Sequence, residues 1–188
     1  FPALSLTGET VWMFTVRQPH LLYLSPPIGA ANIYSLDPQT GEAALLTQIS
    51  QGVREYDVNG SGSTLYFSVP NAQGGSDIYS QAITNESDGS FPNLLLDCQQ
   101  AQCRAPRISP DEEYLAYERI GPPGKSGTGY PQVWVLPLTS SKTRIDQPVP
   151  SAAPFLAGEP LNQTIQPDWS PNGLVSFYDS NRQAFIVI

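Results

Sequence analysis

Two carboxylates and one arginine stand at equivalent places of a repeated pattern, and a third carboxylate lies close by, so that together they could bind an ion or a polar ligand. Asp57 and Asp168 each precede an apolar residue of an expected strand by one position, and Arg107 takes the same place in another copy. Glu55 lies two residues before Asp57. Calcium prefers oxygen ligands, so a calcium ion among these side chains is one interpretation. The commoner role of such residues is to hydrogen-bond a neighbouring backbone or to form an Asp–Arg pair, and both alternatives stay open.

The two cysteines, Cys98 and Cys103, are separated by residues 99–102. In an extracytoplasmic chain, we expect such a pair to close a small loop through a disulfide. The alternative is a pair of reduced, unreactive thiols. A zinc site is disfavoured because structural zinc takes four ligands and the single histidine, His20, is distant in sequence.

A glycine-rich stretch, GPPGKSGTG at 121–129, has the composition of a phosphate-binding loop but not its spacing. A Walker loop has more residues between its first glycine and Gly-Lys-Ser than separate Gly121 from Gly124. The stretch also joins two expected strands, so no helix N-terminus would receive a phosphate. We interpret it as a binding loop on a rigid scaffold, and the candidate contact residues are Lys125, Ser126, Thr128 and Tyr130.

Nucleophilic catalysis finds no support in the sequence. A G-x-S-x-G elbow is missing, and His20 directly precedes an apolar stretch, where a packed or surface histidine is usual. The sequence therefore predicts a protein that is not an enzyme and that binds no cofactor, apart from the calcium alternative in a central channel.

Composition narrows the function classes further. The 188 residues carry a formal net charge of −8, which argues against binding nucleic acid or an anionic membrane. No apolar run reaches the roughly 18 residues that a membrane-spanning helix needs. With 19 prolines and 15 glycines, turns are frequent and long helices are disfavoured. Lysine is scarce, and we expect an extracytoplasmic location.

A repeated strand–turn–strand pattern positions these candidate residues. Its best-defined copy is RISPDEEYLAYE at 107–118, in which Ser109–Glu112 forms the turn. The pattern recurs at 168–178 and at 57–68, with a period of roughly 43–60 residues that is typical of stacked repeat units. A second strand with a shared signature follows each copy, and a further example lies near the N-terminus: Asp77-Ile78-Tyr79-Ser80, Gln132-Val133-Trp134-Val135, Gln183-Ala184-Phe185-Ile186 and Asn32-Ile33-Tyr34-Ser35.

The repeats divide the chain into four expected units within one domain over 1–188, at 18–47, 53–98, 104–157 and 165–188. The last unit stops without an outer strand. A strand expected over 8–16 either opens the first unit or supplies that missing strand and closes a ring. If it does not close the ring, we expect further units from outside this chain, because a repeat unit needs neighbours to bury its apolar faces.

Two segments, Pro106–Asp111 and Pro167–Gly173, together with Thr40-Gly41-Glu42, resemble the TolB-like β-propeller repeat, which is also described as a WD-like repeat. The resemblance implies an all-β protein, a β-propeller of four-stranded antiparallel blades. About four blades are readable in this chain, which is either a propeller or an incomplete part of a larger ring. Propellers of this kind serve many roles, so the resemblance is informative about fold rather than function.

In a propeller of this connectivity, one rim gathers the longer loops, at 25–31, 48–52, 70–76, 99–103, 119–131 and 158–164. We expect a non-catalytic, extracytoplasmic module that binds a protein or peptide through the loop at 119–131. Two alternatives are the regulatory propeller of a larger prolyl-oligopeptidase-like hydrolase and a TolB-like translocation component. If the ring is incomplete, self-association is also expected.

Overall fold

The computed structural model describes residues 11–14, 19–26, 29–83, 91–122, 129–139 and 148–188. Every regular element in this part of the chain is a β-strand, and the strands form antiparallel meanders. The predicted all-β, blade-like architecture is therefore confirmed. Each meander is called a blade below, and its strands are numbered in chain order. No helix in these ranges is long and apolar enough to cross a bilayer.

Blade 1 is a four-stranded meander in chain order. Its strands are β1 (Val11–Phe14), β2 (Pro19–Ser25), β3 (Asn32–Leu36) and β4 (Ala43–Leu45). The inner strand β1 pairs with β2, and Trp12 lies opposite Leu21. The N-terminal strand thus opens the first blade and does not serve as the outer strand of the last one.

Blades 2 and 3 share one extended sheet because a single parallel bridge joins Ser76 to Gln102. The strands of blade 2 are β5 (Tyr56–Val58), β6 (Thr64–Pro70), β7 (Ser76–Ala82) and β8 (Asn93–Leu96). Those of blade 3 are β9 (Gln102–Ile108), β10 (Tyr114–Ile120), β11 (Pro131–Thr139), β12 (Val149–Pro150) and β13 (Phe155–Leu156). The two short outer strands, β12 and β13, both pair with β11.

Blade 4 has three strands, β14 (Thr164–Trp169), β15 (Val175–Asp179) and β16 (Ala184–Val187). Its register corrects the sequence signature by one residue. The sequence signature aligns Phe185 with Trp134, which lies opposite Tyr117 in blade 3. In the structure, Phe185 lies opposite Tyr178. It therefore holds the position that Val133 holds in blade 3. A one-residue shift moves a strand side chain to the other face of the sheet, so Phe185 faces away from blade 3.

Side-chain caps close the tight turns between the first two strands of blades 2, 3 and 4. The Asn59 side-chain oxygen accepts the Ser63 N–H at 2.8 Å, and the Ser109 hydroxyl accepts the Tyr114 N–H at 2.9 Å. Ser170 does the same for Leu174 at 3.0 Å. Asparagine and serine favour such turns because their short side chains bond nearby backbone groups. The recurring Asn or Ser in the sequence therefore marks the same structural position.

The core lies between successive blades rather than within them. Leu22 and Ile33 of blade 1 pack with Leu65 and Phe67 of blade 2. The next interface joins Tyr66 and Ile78 to a set from blade 3 that includes Leu115, Tyr117 and Leu136. Blades 3 and 4 meet through Ala116, Val135 and Val175. Since blades 2 and 3 each bury one face on either neighbour, alternate residues of their strands lie in opposite interfaces.

Candidate functional site

Three polar side chains at one repeat position fasten the rim loops to the blades. Asn32 accepts the Ile49 N–H at 2.8 Å, Asp77 accepts the Cys98 N–H at 2.9 Å, and Gln132 donates to the Pro160 carbonyl at 2.8 Å. Each residue is the first or second of the third strand of its blade, and each partner lies in the segment that leads to the next blade. The sequence reasoning missed this role, although these residues are the first members of the shared signature.

Two threonine hydroxyls reinforce the same junctions. Thr47 accepts the Ile33 N–H at 2.9 Å, and Thr164 accepts the Val133 N–H at 2.7 Å. Both threonines are fully or almost fully buried. Because a buried donor without a partner destabilises a fold, these bonds hold the connecting segments in defined positions. The rim is therefore a rigid platform at these points.

The disulfide expected from the sequence is present and joins Cys98 to Cys103. Both cysteines are buried in the interface between blades 2 and 3. The Ser76 N–H donates to the Ala101 carbonyl at 3.1 Å, and the Ser76 hydroxyl donates to the Cys103 carbonyl at 2.7 Å. The disulfide therefore closes this rim loop, and the two Ser76 hydrogen bonds attach the loop to β7.

Of the predicted loop residues, Lys125, Ser126 and Thr128 lie outside the described residues, and Tyr130 is described. The Tyr130 hydroxyl donates to the Leu161 carbonyl at 2.8 Å. At the base of the loop, the Gly129 N–H donates to the Gly121 carbonyl at 3.2 Å. The loops at 119–131 and 158–164, which the sequence assigned to one rim, are therefore in direct contact.

An open cleft of about 560 Å³ lies beside Tyr130, between the segment that enters blade 4 and the turn after β15. We call it the rim cleft, and its lining residues are Glu159, Pro160, Leu161, Asn162, Asn181 and Arg182. Leu161 is 78% exposed and supplies an apolar floor among polar groups. The sequence did not indicate this cleft, because its two walls are separated in the chain by the first two strands of blade 4.

Charged groups order one wall of the rim cleft. The Arg182 guanidinium lies 3.3 Å from the Glu159 carboxylate and 3.8 Å from that of Asp179. Burial opposes ionisation of Asp179, yet hydrogen bonds from Asn162 and from the Asn181 and Arg182 backbone lower its pKa. The Asp179 carboxylate therefore stays charged and holds the turn in place. The exposed Glu159 and Arg182 side chains remain accessible to a ligand.

Each of the four inner-strand candidates makes a hydrogen bond to a nearby group of the protein; the four are Glu55, Asp57, Arg107 and Asp168. The Asp57 carboxylate accepts the Ile108 N–H of blade 3 at 2.9 Å, which is the inter-blade role described for such residues. Arg107 donates to the Pro106 carbonyl at 2.9 Å and to the Tyr56 carbonyl of blade 2 at 3.4 Å. These contacts use the charged groups to join blades.

The other two candidates make contacts within their own blade. Glu55 accepts the Ser68 hydroxyl at 2.7 Å, and Asp168 accepts the Trp169 N–H at 2.8 Å. Within the described ranges, no cluster of three or more His, Cys, Asp and Glu side chains is arranged to hold a metal ion. A calcium ion in the channel stays a prediction.

A buried carboxylate that the sequence reasoning passed over also links two blades. Glu118 on β10 is 5% exposed. One of its oxygens lies 2.8 Å from the Arg104 Nε, and the other accepts the Gln166 N–H of blade 4 at 2.8 Å. Gln166 has a φ of 57° at an irregularity in β14. The sequence did carry a signal for this role, because Glu118 is a single glutamate within a strand of mostly apolar and aromatic residues.

Comparison with solved structures identifies the fold. A protein described as TolB from Agrobacterium tumefaciens has a TM-score of 0.65 at 16% identity, over 95% of this chain and 56% of that one. Puromycin hydrolase has a TM-score of 0.68 at 12% identity, over 97% of this chain and 29% of that one. The Cps50 (Swd1) β-propeller domain from Myceliophteria thermophila has a TM-score of 0.61 at 15% identity, over 96% and 51%.

This chain spans from 29% to 56% of the length of those three proteins. No protein-family model and no curated protein sequence matches it. Identities this low inform on fold and not on activity. The repeated meanders, the inter-blade core and these likenesses together show that the chain has the TolB-like, WD-like β-propeller fold.

Proposed function

We propose that this chain is a non-catalytic binding module that engages a protein or peptide at the rim cleft and the adjoining loop at 119–131. The proposal rests on the exposure of Leu161. This apolar side chain is 78% exposed, although hydrogen bonds from neighbouring residues fix its backbone. Tyr130 bonds the Leu161 carbonyl, and Gln132 bonds the carbonyl of Pro160. A rigid apolar contact point with polar groups around it suits recognition of a polypeptide.

The groups around Leu161 define what the cleft can recognise. Asn162 and Asn181 offer amide groups that can pair with a peptide backbone, and Glu159 and Arg182 offer one charge of each sign. With a net charge of −8 on the chain, approach of a cationic partner is favoured electrostatically. We therefore expect a basic or neutral segment with an apolar side chain as the ligand.

Two features support a role without catalysis. The inner-strand candidates Asp57 and Arg107 already bond backbone groups of adjacent blades. The single histidine, His20, lies in β2, within the regular pairing of blade 1 and opposite Met13. Incubation with ester and peptide substrates tests this part, and turnover above that of a buffer blank would contradict it.

The disulfide supports an extracytoplasmic location. Bridges such as Cys98–Cys103 persist in oxidising compartments and are rare where thiols are kept reduced. The location is tested by expressing the chain with and without export to the periplasm and titrating free thiols in each product. A fully reduced exported chain would contradict the proposal.

The binding site is tested with a library of random peptides displayed on phage and selected on the immobilised chain. Peptides enriched by the parent chain should lose binding to Leu161→Asp, which places a charge on the apolar floor. The matched control is Leu174→Asp, because Leu174 is also exposed and lies in a turn after β14 at the opposite rim. Equal binding to both variants, or no enrichment at all, would contradict the proposed site.

The regulatory propeller of a larger hydrolase is the second candidate function. It is favoured by the likeness to puromycin hydrolase, of which this chain covers 29%. A TolB-like translocation component is favoured by the likeness to the TolB protein. The full reading frame separates them: a hydrolase domain with a nucleophile elbow favours the former, and a propeller with an accessory N-terminal domain favours the latter.

A further inference from the structure

Two asparagines of the sequence are followed directly by glycine, in the pairs Asn59-Gly60 and Asn172-Gly173. Both pairs lie in the tight turn between the first two strands of a blade, the former in blade 2 and the latter in blade 4. An asparagine before glycine can lose its side-chain nitrogen, because a glycine nitrogen has no Cβ beside it to hinder attack on the amide carbon. The structure gives these two identical pairs very different surroundings.

The Asn59 side chain is buried and fully bonded. It is 4% exposed, and its amide oxygen accepts the N–H groups of Ser63 at 2.8 Å and Thr64 at 3.0 Å. Its amide nitrogen donates to the Ser63 hydroxyl at 3.0 Å and to the Glu112 carboxylate of blade 3 at 3.1 Å. Rotation of this side chain would break several buried hydrogen bonds, so the amide is held away from any reaction.

Asn172 has none of these restraints. Both Asn172 and Gly173 are exposed, and within the described ranges the Asn172 side chain makes no hydrogen bond. An added Cβ at Gly173 would meet no atom within 4 Å, so the space beside the glycine is open. The Gly173 N–H donates to the Ser170 carbonyl at 3.0 Å. This is the bond that must open before the Gly173 nitrogen can react.

The exposure of Asn172 is a property of the turn and not of the place of blade 4 in the chain. In the turns of blades 2, 3 and 4, the fourth residue has a positive φ and donates its N–H to the carbonyl of the first; these fourth residues are Gly62, Glu112 and Gly173. Asn172 therefore corresponds to Ser61 of blade 2 and Asp111 of blade 3, and both are exposed although another blade follows theirs. A blade packed on blade 4 would leave Asn172 exposed in the same way.

We propose that Asn172 is a site of deamidation. The Gly173 backbone nitrogen gives its proton to solvent and bonds to the carbonyl carbon of the Asn172 side chain. The side-chain carbon–nitrogen bond breaks, and the nitrogen takes a proton from solvent and leaves as ammonia.

Water then opens the five-membered imide that results. Addition at the side-chain carbonyl breaks the new bond to Gly173 and gives aspartate, whereas addition at the backbone carbonyl breaks the original peptide bond and gives isoaspartate. Each conversion consumes one water, releases the nitrogen as ammonium and leaves a carboxylate. The modification thus adds one negative charge to the formal net charge of −8.

Blade 3 contains the structural counterpart of the aspartate product. Asp111 holds the corresponding position in its turn, and its carboxylate accepts the Ser109 hydroxyl at 2.5 Å. Ser170 is the corresponding serine of blade 4, so a carboxylate at position 172 can accept its hydroxyl in the same way. Since this turn lies at the rim opposite to the rim cleft, the modification changes the surface charge without altering the cleft.

Ageing of the purified chain at mildly alkaline pH, followed by peptide mapping with mass spectrometry, tests the proposal. Asn172 should convert at least about tenfold faster than Asn59, because the buried hydrogen bonds of Asn59 must break before it can react. In denaturant the two should convert at similar rates, since each precedes a glycine in an unfolded chain. Equal rates in the folded chain, or an intact Asn172 after the unfolded chain has converted, would overturn the proposal.

Isoelectric focusing of variants locates the new charge. The aged parent chain should show a more acidic band at the position of fresh Asn172→Asp. Asn172→Gln should lack this band, because its longer side chain would have to close a six-membered ring, which forms far more slowly. The matched control is Asn181→Gln, since Asn181 is also exposed but precedes an arginine, and it should form the band at the parent rate. A band that persists in Asn172→Gln, or is lost in Asn181→Gln, would contradict the site.

Discussion

The indole nitrogen of Trp169 donates a hydrogen bond of 2.9 Å to the carbonyl oxygen of Arg107, and this bond joins the inner strands of blades 3 and 4. The Asp57 carboxylate makes the comparable link between blades 2 and 3 by accepting the Ile108 N–H. Inner strands are thus joined by individual polar bonds as well as by the apolar core.

Trp169→Phe should lower the free energy of unfolding by about 1–2 kcal/mol, because it removes one hydrogen bond and part of a packed ring. Urea denaturation followed by far-ultraviolet circular dichroism measures the change. Trp134→Phe is the control substitution. It removes the same ring area, at a position where the ring lies beneath the Arg119 guanidinium. An equal loss in both variants would show that the bond to Arg107 adds nothing specific.

Gly75→Ala should destabilise the rim loop that the disulfide closes. An added Cβ would lie 2.2 Å from the Ala101 carbonyl oxygen and 2.4 Å from that of Gln99, so the backbone must shift. We expect a loss of roughly 1–3 kcal/mol from such overpacking. Gly60→Ala is the matched control, because a Cβ there meets no atom within 4 Å. Similar denaturation midpoints for the two variants would contradict the prediction.

Glu118→Ala should cost about 2–4 kcal/mol of unfolding free energy, because it leaves the Gln166 N–H and the Arg104 guanidinium without their shared partner. Glu159→Ala breaks the exposed pair with Arg182 and should change stability by less than about 1 kcal/mol. Chemical denaturation of both variants in the same buffer measures the contrast. A loss for Glu118→Ala as small as that for Glu159→Ala would refute the buried linking role.

Stability should fall at alkaline pH because burial raises the pKa of Tyr66 and Tyr117 above the ordinary value of 10.0. The folded chain keeps these protons at a pH where the unfolded chain loses them. The contribution is therefore complete below pH of about 10 and declines as the pH rises above it. Denaturant midpoints measured across this range should decline less steeply in the variant with Tyr66→Phe and Tyr117→Phe. An unchanged slope in that variant would contradict the assignment.

Local patterns predicted much of the fold because blade turns and strands depend on neighbouring residues. The capped turns at Ser109 and Ser170 lie where the Ser-Pro pattern predicted them, since serine bonds backbone groups a few residues away. The short separation of Cys98 and Cys103 likewise predicted their bridge. The alternation of apolar and polar residues predicted the strands but did not set the register of every pair.

The register of β16 shows where such patterns fail. Pairing depends on the length and shape of the turn after Asp179, where Gln183 has a φ of 52°. The turn shifts Phe185 by one residue relative to the signature, and that shift moves its ring to the opposite face. The rim cleft could not be predicted for a related reason, because Leu161 and Arg182 come together only when β14 pairs with β15.

By itself, the sequence determined the repeat, the strand and turn types, and the pairing of the two cysteines, because these depend on side-chain chemistry over a few residues. Tertiary structure alone decided which strand completes which blade, that Asp57 bonds the next blade, and that Glu118 bridges Arg104 and Gln166. These relationships join residues up to 51 positions apart, as Asp57 and Ile108 are. Their geometry is set by how blades pack, which no local pattern encodes.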